Sequence, residues 1–367
     1  ELIEHLGAIL NSERLVFDII KEELLEVKNK FGDDRKTKIV ATEGEIDLDD
    51  LIKEEQTVVA LTHFGYIKRM PIDTYKSQRR GGKGITGIAT REDDFVKQIF
   101  TASTHDTILF FTNKGKLYHL RGYEIPEAGR TAKGTAIVNL LRLDPGEKVS
   151  AVIPIQNFAE GKYLLMATKN GLIKKTALKE YDSSRKTGLQ GITLKEDDEL
   201  IAVRLTDGED NVVLVTRNGL CITFDEKDVR PIGRVSQGVI GIRIDDDDEV
   251  IGMESVIAGG KATLLTITEH GFGKRTELDE YRVQNRGGRG VVTYKITPKT
   301  GKLVGVRIAT EDDDVMLITD KGTIIRINVK DVSVLGRATQ GVTLIRTNDG
   351  GKVVSVETLT PELKENE

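Results

Sequence analysis

Hydrophobic residues along this chain follow two different periods, and the first occupies only the N-terminal segment. Within residues 2–10 and 15–31, apolar side chains recur at the three- and four-residue spacing of amphipathic helices. The pattern predicts two helices that break near Asn11–Ser12, with the serine as N-cap and Gly32 as the C′ residue after the second helix. These apolar faces find no partner within the segment. We therefore expect them to dock on a part of a longer protein.

From about Thr57 the period changes to that of β-strands, and one pattern recurs six times. Each copy has an apolar strand such as "VVALT" or "VVLVT", a turn that ends in glycine, and a second strand that carries basic residues. The turn glycines are Gly65, Gly115, Gly171, Gly219, Gly271 and Gly322. Turns such as "NG" and "KG" between apolar runs predict β-hairpins in which the glycine has a positive φ.

A second glycine follows each turn glycine at a spacing of 19 or 20 residues. These second glycines are Gly84, Gly134, Gly191, Gly238, Gly290 and Gly341. A further strand, an acidic connection and a fourth apolar strand such as "EVIGMESV" complete each copy. Six repeats of about 50 residues, each with four strands, predict a mainly β protein with a propeller-like ring of six blades.

The patterns divide the chain into four predicted parts. They are a helical tail (1–32), an acidic linker with an entry strand (33–56), the six-bladed ring (57–360) and a C-terminal tail (361–367). The single cysteine, Cys221, excludes an internal disulfide and favours a reducing compartment such as the cytoplasm. The sequence contains no uncharged apolar run of the length that a transmembrane helix needs.

Charge is strongly segregated along the repeats, although the whole chain carries only −5. The six windows from turn glycine to second glycine together carry +14, which leaves −19 on the remainder. Acidic runs such as "KEDDE" and "DDDDE" lie on the connections that follow the windows. A cationic edge on an otherwise acidic ring predicts a polyanion partner that follows one path.

One cation returns at a fixed position within these windows. The residue four places before the second glycine is arginine in five repeats: Arg80, Arg130, Arg234, Arg286 and Arg337. The third repeat has Thr187 there, with Arg185 and Lys186 just upstream. One such loop is explained by turn formation and solubility, but recurrence on one rim of the ring favours binding.

The residue types suit phosphate better than bases. Arginine forks bind phosphate oxygens bidentately, and glycines let backbone N–H groups approach closely. Aromatic side chains are scarce in the loops, which disfavours stacking on single strands, so duplex DNA held by its backbone is expected. The candidate DNA-binding residues are Gln78, Arg79, Arg80, Gly81, Gly82, Lys83, Gly84, Lys68, Arg69, Arg130, Lys133, Lys174, Lys175, Arg185, Lys186, Arg234, Lys274, Arg275, Arg286, Arg289, Arg326 and Arg337.

Catalytic chemistry finds little support in this sequence. There is no Walker A motif, and the five histidines are scattered without metal-ligand spacing. The acidic run Asp245–Asp248 lacks EF-hand spacing, and we interpret it as a solvated loop. We expect a chain that binds and bends DNA without cutting it, with no cofactor or metal of its own.

A family resemblance rests on "QRRGGKG", residues 78–84, which is similar to the gyrase A box of bacterial DNA gyrases, members of the type IIA topoisomerases. The segments "FGDDRKTKI", "THFGYIKRMP" and "EIPEAGRTAKGTAIVNLL" also resemble the C-terminal portion of the gyrase polypeptide that carries the box. The resemblance implies a β-pinwheel, a propeller in which neighbouring blades exchange a strand. It also implies that residues 1–30 correspond to the closing helices of the breakage–reunion domain.

The same resemblance implies a function. DNA would wrap around the basic rim and present a positive crossover to the catalytic core, and the box would allow negative supercoiling. The cleavage tyrosine, the ATP and the Mg²⁺ would belong to other parts of an A₂B₂ gyrase complex, associated with the nucleoid in the bacterial cytoplasm.

Two alternatives remain open from the sequence. The nearer is the corresponding C-terminal domain of topoisomerase IV, which would bind DNA without strong wrapping and whose box is typically degraded. The more distant alternative is a propeller that binds an acidic protein partner. The intact "QRRGGKG" and the six even repeats favour the gyrase interpretation.

Overall fold

The computed structural model describes residues 2–33, 37, 48–71, 94, 96–129, 132–183, 188–257, 262–321, 323–347 and 350–359. The chain forms two compact units, residues 1–50 and 51–367. The helices are α1 (Leu2–Leu10), α2 (Glu13–Phe31) and α3 (Leu48–Leu51).

The two N-terminal helices follow the predicted apolar period. The Ser12 hydroxyl accepts a hydrogen bond from the backbone N–H of Leu15 at 3.5 Å, as expected of an N-cap. The backbone N–H of Gly32 donates to the carbonyl of Lys28, but its φ is −71°. Gly32 therefore lacks the left-handed conformation that is typical of a C′ glycine. None of the residues of α1 or α2 is buried, so their apolar faces are exposed in this chain.

The second unit consists of six repeats. The first three contain β1 (Gln56–Thr62), β2 (Tyr66–Pro71), β3 (Val96–Ser103), β4 (Thr107–Thr112), β5 (Lys116–Arg121), β6 (Thr135–Ala136), β7 (Val149–Ile155), β8 (Tyr163–Thr168), β9 (Leu172–Ala177), β10 (Leu189–Gln190) and β11 (Leu200–Thr206). The last three contain β12 (Asn211–Thr216), β13 (Leu220–Asp225), β14 (Val239–Ile240), β15 (Val250–Val256), β16 (Thr263–Thr268), β17 (Phe272–Glu277), β18 (Val291–Val292), β19 (Leu303–Ala309), β20 (Asp314–Thr319), β21 (Ile324–Asn328), β22 (Val342–Thr343) and β23 (Val353–Leu359).

Neighbouring blades exchange a strand, as the family resemblance implies. The first sheet has the order β3-β1-β2-β6, and β6 belongs to the second repeat. The same order, with the two-residue strand supplied by the following repeat, recurs in the next four sheets. In the part of the chain that the structure describes, the sixth sheet has the three strands β21-β20-β23. The mainly β, six-bladed architecture predicted from the sequence is confirmed.

The turn glycines connect each blade to the next. Their φ angles are positive, between +73° and +88°, for the five turn glycines in the described ranges. The carbonyl of Gly171 accepts backbone hydrogen bonds from Gly241 (2.9 Å) and Ile242 (3.2 Å), which belong to the following repeat. A side chain on the turn residue would collide with that incoming backbone, so the fold requires glycine here for two reasons.

The position of the exchanged strand corrects one assignment in the third repeat. The strand β10 follows Gly188 directly, just as β14 follows Gly238. The residue equivalent to the other second glycines is therefore Gly188, and the choice of Gly191 from spacing alone was wrong. The loop of this repeat is shorter, and a Cβ on Gly188 would meet the ring of Tyr118 in the preceding blade at 2.6 Å.

The apolar core is divided among the boundaries between blades. One cluster combines Val59 and Ile67 of the first repeat with Ile108 and Phe110 of the second. The other large clusters are shared in the same way, so each blade is stabilised by burial against its neighbours.

The last strand of each repeat (β3, β7, β11, β15, β19 and β23), which we call the inner strand, faces a central channel with a volume of about 710 Å³. Four inner strands carry alternating charges, in which Arg204 pairs with Glu254 (2.8 Å) and Arg307 lies between Glu254 (3.7 Å) and Glu357 (3.0 Å). The last inner strand, β23, also contacts β3 of the first repeat. The six blades therefore form a closed ring.

Candidate nucleic-acid interface

The basic loops that the structure describes lie at the outer edge of the ring. In each four-stranded sheet the exchanged strand is farthest from the channel, and the basic loop leads directly into it. Before that strand, the loop forms a parallel bridge with the preceding blade, as Pro231 does with Lys175 and Val334 does with Arg275. Because this geometry repeats, equivalent loop positions follow one perimeter.

We define Arg234, Arg286 and Arg337 as the rim arginines. Each lies four residues before the second glycine of its repeat, which directly precedes the exchanged strand. All three are half-buried, so part of each side chain faces solvent. The guanidinium of Arg286 donates from Nε to the carbonyl of Asp228 (2.9 Å) and from Nη1 to that of Ile240 (3.0 Å). A guanidinium has five N–H donors, so unused donors remain for an anion.

Two further candidates are exposed on these loops. The side chain of Arg289 is 78% exposed, and its Nη2 lies 3.5 Å from Asp245 Oδ1. Such an exposed ion pair contributes little stability, so a phosphate group can displace the carboxylate at small cost. Lys133 is also exposed, on the loop that precedes β6.

Three lysines that we expected on the surface are buried instead. Lys68, Lys174 and Lys274 are no more than 2% exposed. The Nζ of Lys68 donates to the carbonyls of Gly129 (3.2 Å) and Ala132 (2.7 Å) in the next basic loop. These lysines lie on β2, β9 and β17, the second strands of their repeats. The expectation that their ammonium groups face solvent was wrong.

The residues that follow these lysines hold the neighbouring blade. Arg69 donates from Nε to the carbonyl of Ile125 at 2.9 Å, and Arg275 makes the same bond to Val332 at 2.8 Å. The Nζ of Lys175 lies 3.1 Å from Glu226 Oε1, with both side chains almost fully buried. Each of these three cations already binds a carbonyl or carboxylate of the next blade, and their assignment as exposed phosphate ligands was wrong.

The remaining candidates are not equally placed. Arg326 is exposed but bound to Asp314, with Nη2 at 2.7 Å from Oδ2. The box, Gln78, Arg79, Arg80, Gly81, Gly82, Lys83 and Gly84, lies outside the described residues, as do Arg130, Arg185 and Lys186. The structure therefore brings Lys133, Arg234, Arg286, Arg289 and Arg337 to the outer edge of the ring.

A family model for the DNA gyrase C-terminal domain, a beta-propeller, matches six segments of this chain. The segments are residues 56–103, 106–156, 162–207, 210–257, 262–310 and 313–360, and each holds the strands of one repeat. The chain belongs to this family.

Individual relatives agree with the family model. The chain is 52% identical over 354 residues to the gyrase A protein of Clostridium acetobutylicum and 44% identical over 356 residues to that of Staphylococcus aureus. Each alignment covers 96% of this gyrase-family chain but only 42% and 40% of the relative. The chain therefore spans about two fifths of the length of these relatives.

Solved structures give the same fold. The C-terminal domain of a DNA topoisomerase IV superposes with a TM-score of 0.74 at 30% identity, covering 86% of this chain and 96% of that domain. A DNA gyrase A C-terminal domain superposes with a TM-score of 0.68 at 27% identity, covering 83% of this chain and all of that domain. Each superposition therefore extends over most of the gyrase-family propeller.

Two glutamates near the rim arginines were not found from the sequence. Glu180 Oε2 accepts from the backbone N–H of Arg234, and Glu280 Oε2 accepts from that of Arg337, both at 2.9 Å. Each glutamate lies nine residues after its turn glycine and precedes a tyrosine, in "KEY" and "DEY". The sequence signal that could have identified these glutamates is the recurrence of the Glu-Tyr dipeptide at the same position of two repeats.

The burial of two lysines makes the stability of this gyrase-family ring change with pH in the alkaline range. Desolvation lowers the pKa of Lys174 and of Lys274 to about 8, from 10.5. The unfolded chain therefore binds more protons than the folded chain between about pH 8 and 10.5, and stability rises with pH there. We expect the free energy of unfolding of the natural chain to rise, relative to a Lys174→Ile/Lys274→Ile variant, between about pH 7 and pH 9.5.

Denaturant titrations of both proteins at several pH values measure this difference. Taking the difference cancels Cys221, whose thiol pKa is raised by burial, and Tyr181, whose phenol pKa is raised for the same reason. A difference that stays constant or shrinks with rising pH would contradict the prediction.

None of the helices in the described ranges has the length and hydropathy required to cross a bilayer. Within the same ranges, no group of three or more histidine, cysteine or carboxylate side chains is placed to hold a metal ion.

Proposed function

We propose that this gyrase C-terminal domain binds duplex DNA without sequence preference and bends it around the outer edge of the ring. The observation that carries the proposal is the recurrence of Arg234, Arg286 and Arg337 at one position of the perimeter, each beside an exchanged strand. Phosphate groups along a curved duplex would meet one such cation per blade.

The positions of acidic residues support a defined path for DNA around the ring. The carboxylates of Asp198 and Asp248 accept backbone N–H bonds from the hairpin turns at Asn170 and Asn218, both at 2.9 Å. These two aspartates of the acidic connections therefore lie at the hairpin turns of their blades. Repulsion from the acidic runs would keep a polyanion on the perimeter.

The energies allow such a wrap. Bending a duplex by half a turn over some 40 base pairs costs on the order of 10 kcal/mol by elastic estimates. Counterion release at about ten phosphates supplies a favourable free energy of that size at low salt and much less at high salt. Binding is therefore expected to weaken steeply with salt.

The wider function that we propose is that of the gyrase A proteins which this chain resembles. The wrap would supply the chirality for ATP-dependent negative supercoiling, within a complex of two A and two B subunits in the bacterial cytoplasm. DNA cleavage, ATP and Mg²⁺ would be handled by other parts of that complex, and this chain would contribute DNA binding alone.

Ligation of nicked plasmid in the presence of the chain tests the proposal. We expect the closed circles to carry a shift in linking number that grows with protein concentration and is lost as salt rises. The absence of any binding to linear duplex at low salt would overturn the proposal and favour a propeller with an acidic protein partner.

A second candidate function is binding without wrapping. The structural similarity to a topoisomerase IV C-terminal domain, with a TM-score of 0.74, is the reason to consider this second candidate function. In the same assay this function predicts DNA bound by the chain with no change in linking number.

A further inference from the structure

The preceding blade holds the backbone on both sides of the Arg337 Cα. The backbone N–H of Arg337 donates to Glu280 Oε2 at 2.9 Å, and its carbonyl accepts from the Nζ of Lys274 at 2.5 Å. The same Nζ also donates to the carbonyl of Gly336 at 2.6 Å. A buried lysine and a surface glutamate thus fix the two peptide groups that flank the Cα from which this rim arginine projects.

The same arrangement occurs about a hundred residues earlier in the chain. The backbone N–H of Arg234 donates to Glu180 Oε2 at 2.9 Å, and its carbonyl accepts from the Nζ of Lys174. Lys174 Nζ also donates to the carbonyl of Gly191 at 2.8 Å. We call Lys174–Glu180 and Lys274–Glu280 the clamp pairs.

The fourth repeat shows what happens without a clamp pair. It has Ile222, which is fully buried, at the lysine position and Asp228 at the glutamate position. The rim arginine of the next loop, Arg286, then reaches back with its own guanidinium to the carbonyls of Asp228 and Ile240. In this loop the arginine side chain itself anchors the loop, and two of its donors are occupied.

The clamped arginine makes a weaker side-chain contact of this kind. Arg337 donates from Nη1 to the carbonyl of Val292 at 3.4 Å, compared with 2.9 and 3.0 Å for the two bonds of Arg286. Where a clamp pair holds the backbone on both sides of the arginine, the guanidinium therefore makes weaker hydrogen bonds to the protein.

We propose that the clamp pairs are positioning residues for DNA binding, which orient the rim arginine of the following blade and release its guanidinium for phosphate. This inference rests on the proposed function. It means that phosphate binding at one blade depends on side chains that belong to the blade before it, and that the buried lysines among them never contact DNA.

The burial of the lysines is consistent with a positioning role. Removing an ammonium group from water carries a desolvation cost, which is seen in the pKa of Lys274, lowered by burial despite the nearby Glu280. The groups that face it are Glu280, Arg337 and the ring of Tyr294. An apolar residue fills the same place in the fourth repeat, so packing alone does not require lysine.

The double variant Lys174→Ile/Lys274→Ile tests the proposal, because it installs the residue that Ile222 already provides at this position. We expect about tenfold weaker binding to linear duplex at about 0.1 M salt, and a log–log salt slope that is less steep by about 1 to 2 units. The Arg234→Ala/Arg337→Ala variant serves as the reference, and combining all four changes should give little further loss.

The outcomes separate the inference from the proposed function. Wild-type affinity in the lysine variant, together with weak binding in the arginine variant, would overturn the clamp and leave DNA binding intact. Wild-type affinity in the arginine variant would instead remove the rim arginines from the proposed interface.

A second pair of variants covers the case in which the lysine variant fails to fold. Glu180→Gln/Glu280→Gln keeps an acceptor for each arginine N–H, whereas Glu180→Ala/Glu280→Ala removes it, and both lose the same charge. Both glutamates are exposed, so folding should be retained. We expect about threefold weaker duplex binding for the alanine variant than for the glutamine variant. Equal affinities would contradict the clamp.

Discussion

Replacing Arg79, Arg80 and Lys83 with alanine is expected to abolish the linking-number shift that the chain imposes on ligated plasmid. The window that contains them carries +5, the largest of the six, and these residues supply three of its charges. Because wrapping must offset a bending cost of about 10 kcal/mol, the loss of three phosphate contacts should favour unbent DNA. The log–log salt slope of binding should be less steep by about 3 units.

The measurement compares linking-number distributions and the salt dependence of duplex binding. A matched control replaces Lys114, Lys148 and Lys195 with alanine, which removes the same charge from positions near the turns and acidic connections. We expect this control to retain the shift. An unchanged shift in the box variant with a normal circular dichroism spectrum would refute the assignment, as would an equal loss in the control.

Gly171→Ala is expected to destabilise the ring by about 3 kcal/mol, because two costs combine at this turn. The φ of Gly171 is +83°, which costs an alanine about 1 to 2 kcal/mol. A Cβ would also lie 2.6 Å from the carbonyl oxygen of Ile242, which belongs to the segment that the following repeat supplies. Relief of this collision requires that segment to move away.

Gly161→Ala is the matched control for this prediction. Gly161 lies just before the first strand of the same repeat and has a φ of +75°, but a Cβ there would have no heavy atom within 4 Å. Denaturant unfolding should show only the cost of the positive φ, about 1 to 2 kcal/mol, for the control. Equal losses for the two variants would mean that the approach of the next repeat does not matter.

The repeat architecture was predictable because its signals are local. An apolar strand followed by a turn glycine predicts a hairpin from neighbouring residues alone, and Gly65, Gly115, Gly171, Gly219 and Gly271 all adopt the expected positive φ. The assignment of Gly191 failed because spacing cannot distinguish it from Gly188 when the loop changes length. Only the pairing of β10 with β5 decides which glycine precedes the exchanged strand.

The candidate interface was predictable only in part. Recurrence identified the loop arginines, and the structure brings Arg234, Arg286 and Arg337 to one perimeter. Recurrence also selected Lys174 and Lys274, whose ammonium groups are buried. The sequence shows which positions carry a charge but not where each side chain points. A lysine side chain is long enough for its ammonium group to donate a hydrogen bond to a carbonyl of the next blade.

The sequence by itself determined the six-fold repeat, the hairpin at each turn and the segregation of charge, because hydrophobic period and turn chemistry act over a few residues. The tertiary structure decided which repeat completes each sheet and which cations face solvent. Both depend on contacts between residues far apart in the chain, such as Lys274 with Arg337. In a ring of blades, the surroundings of each loop are supplied by its neighbour.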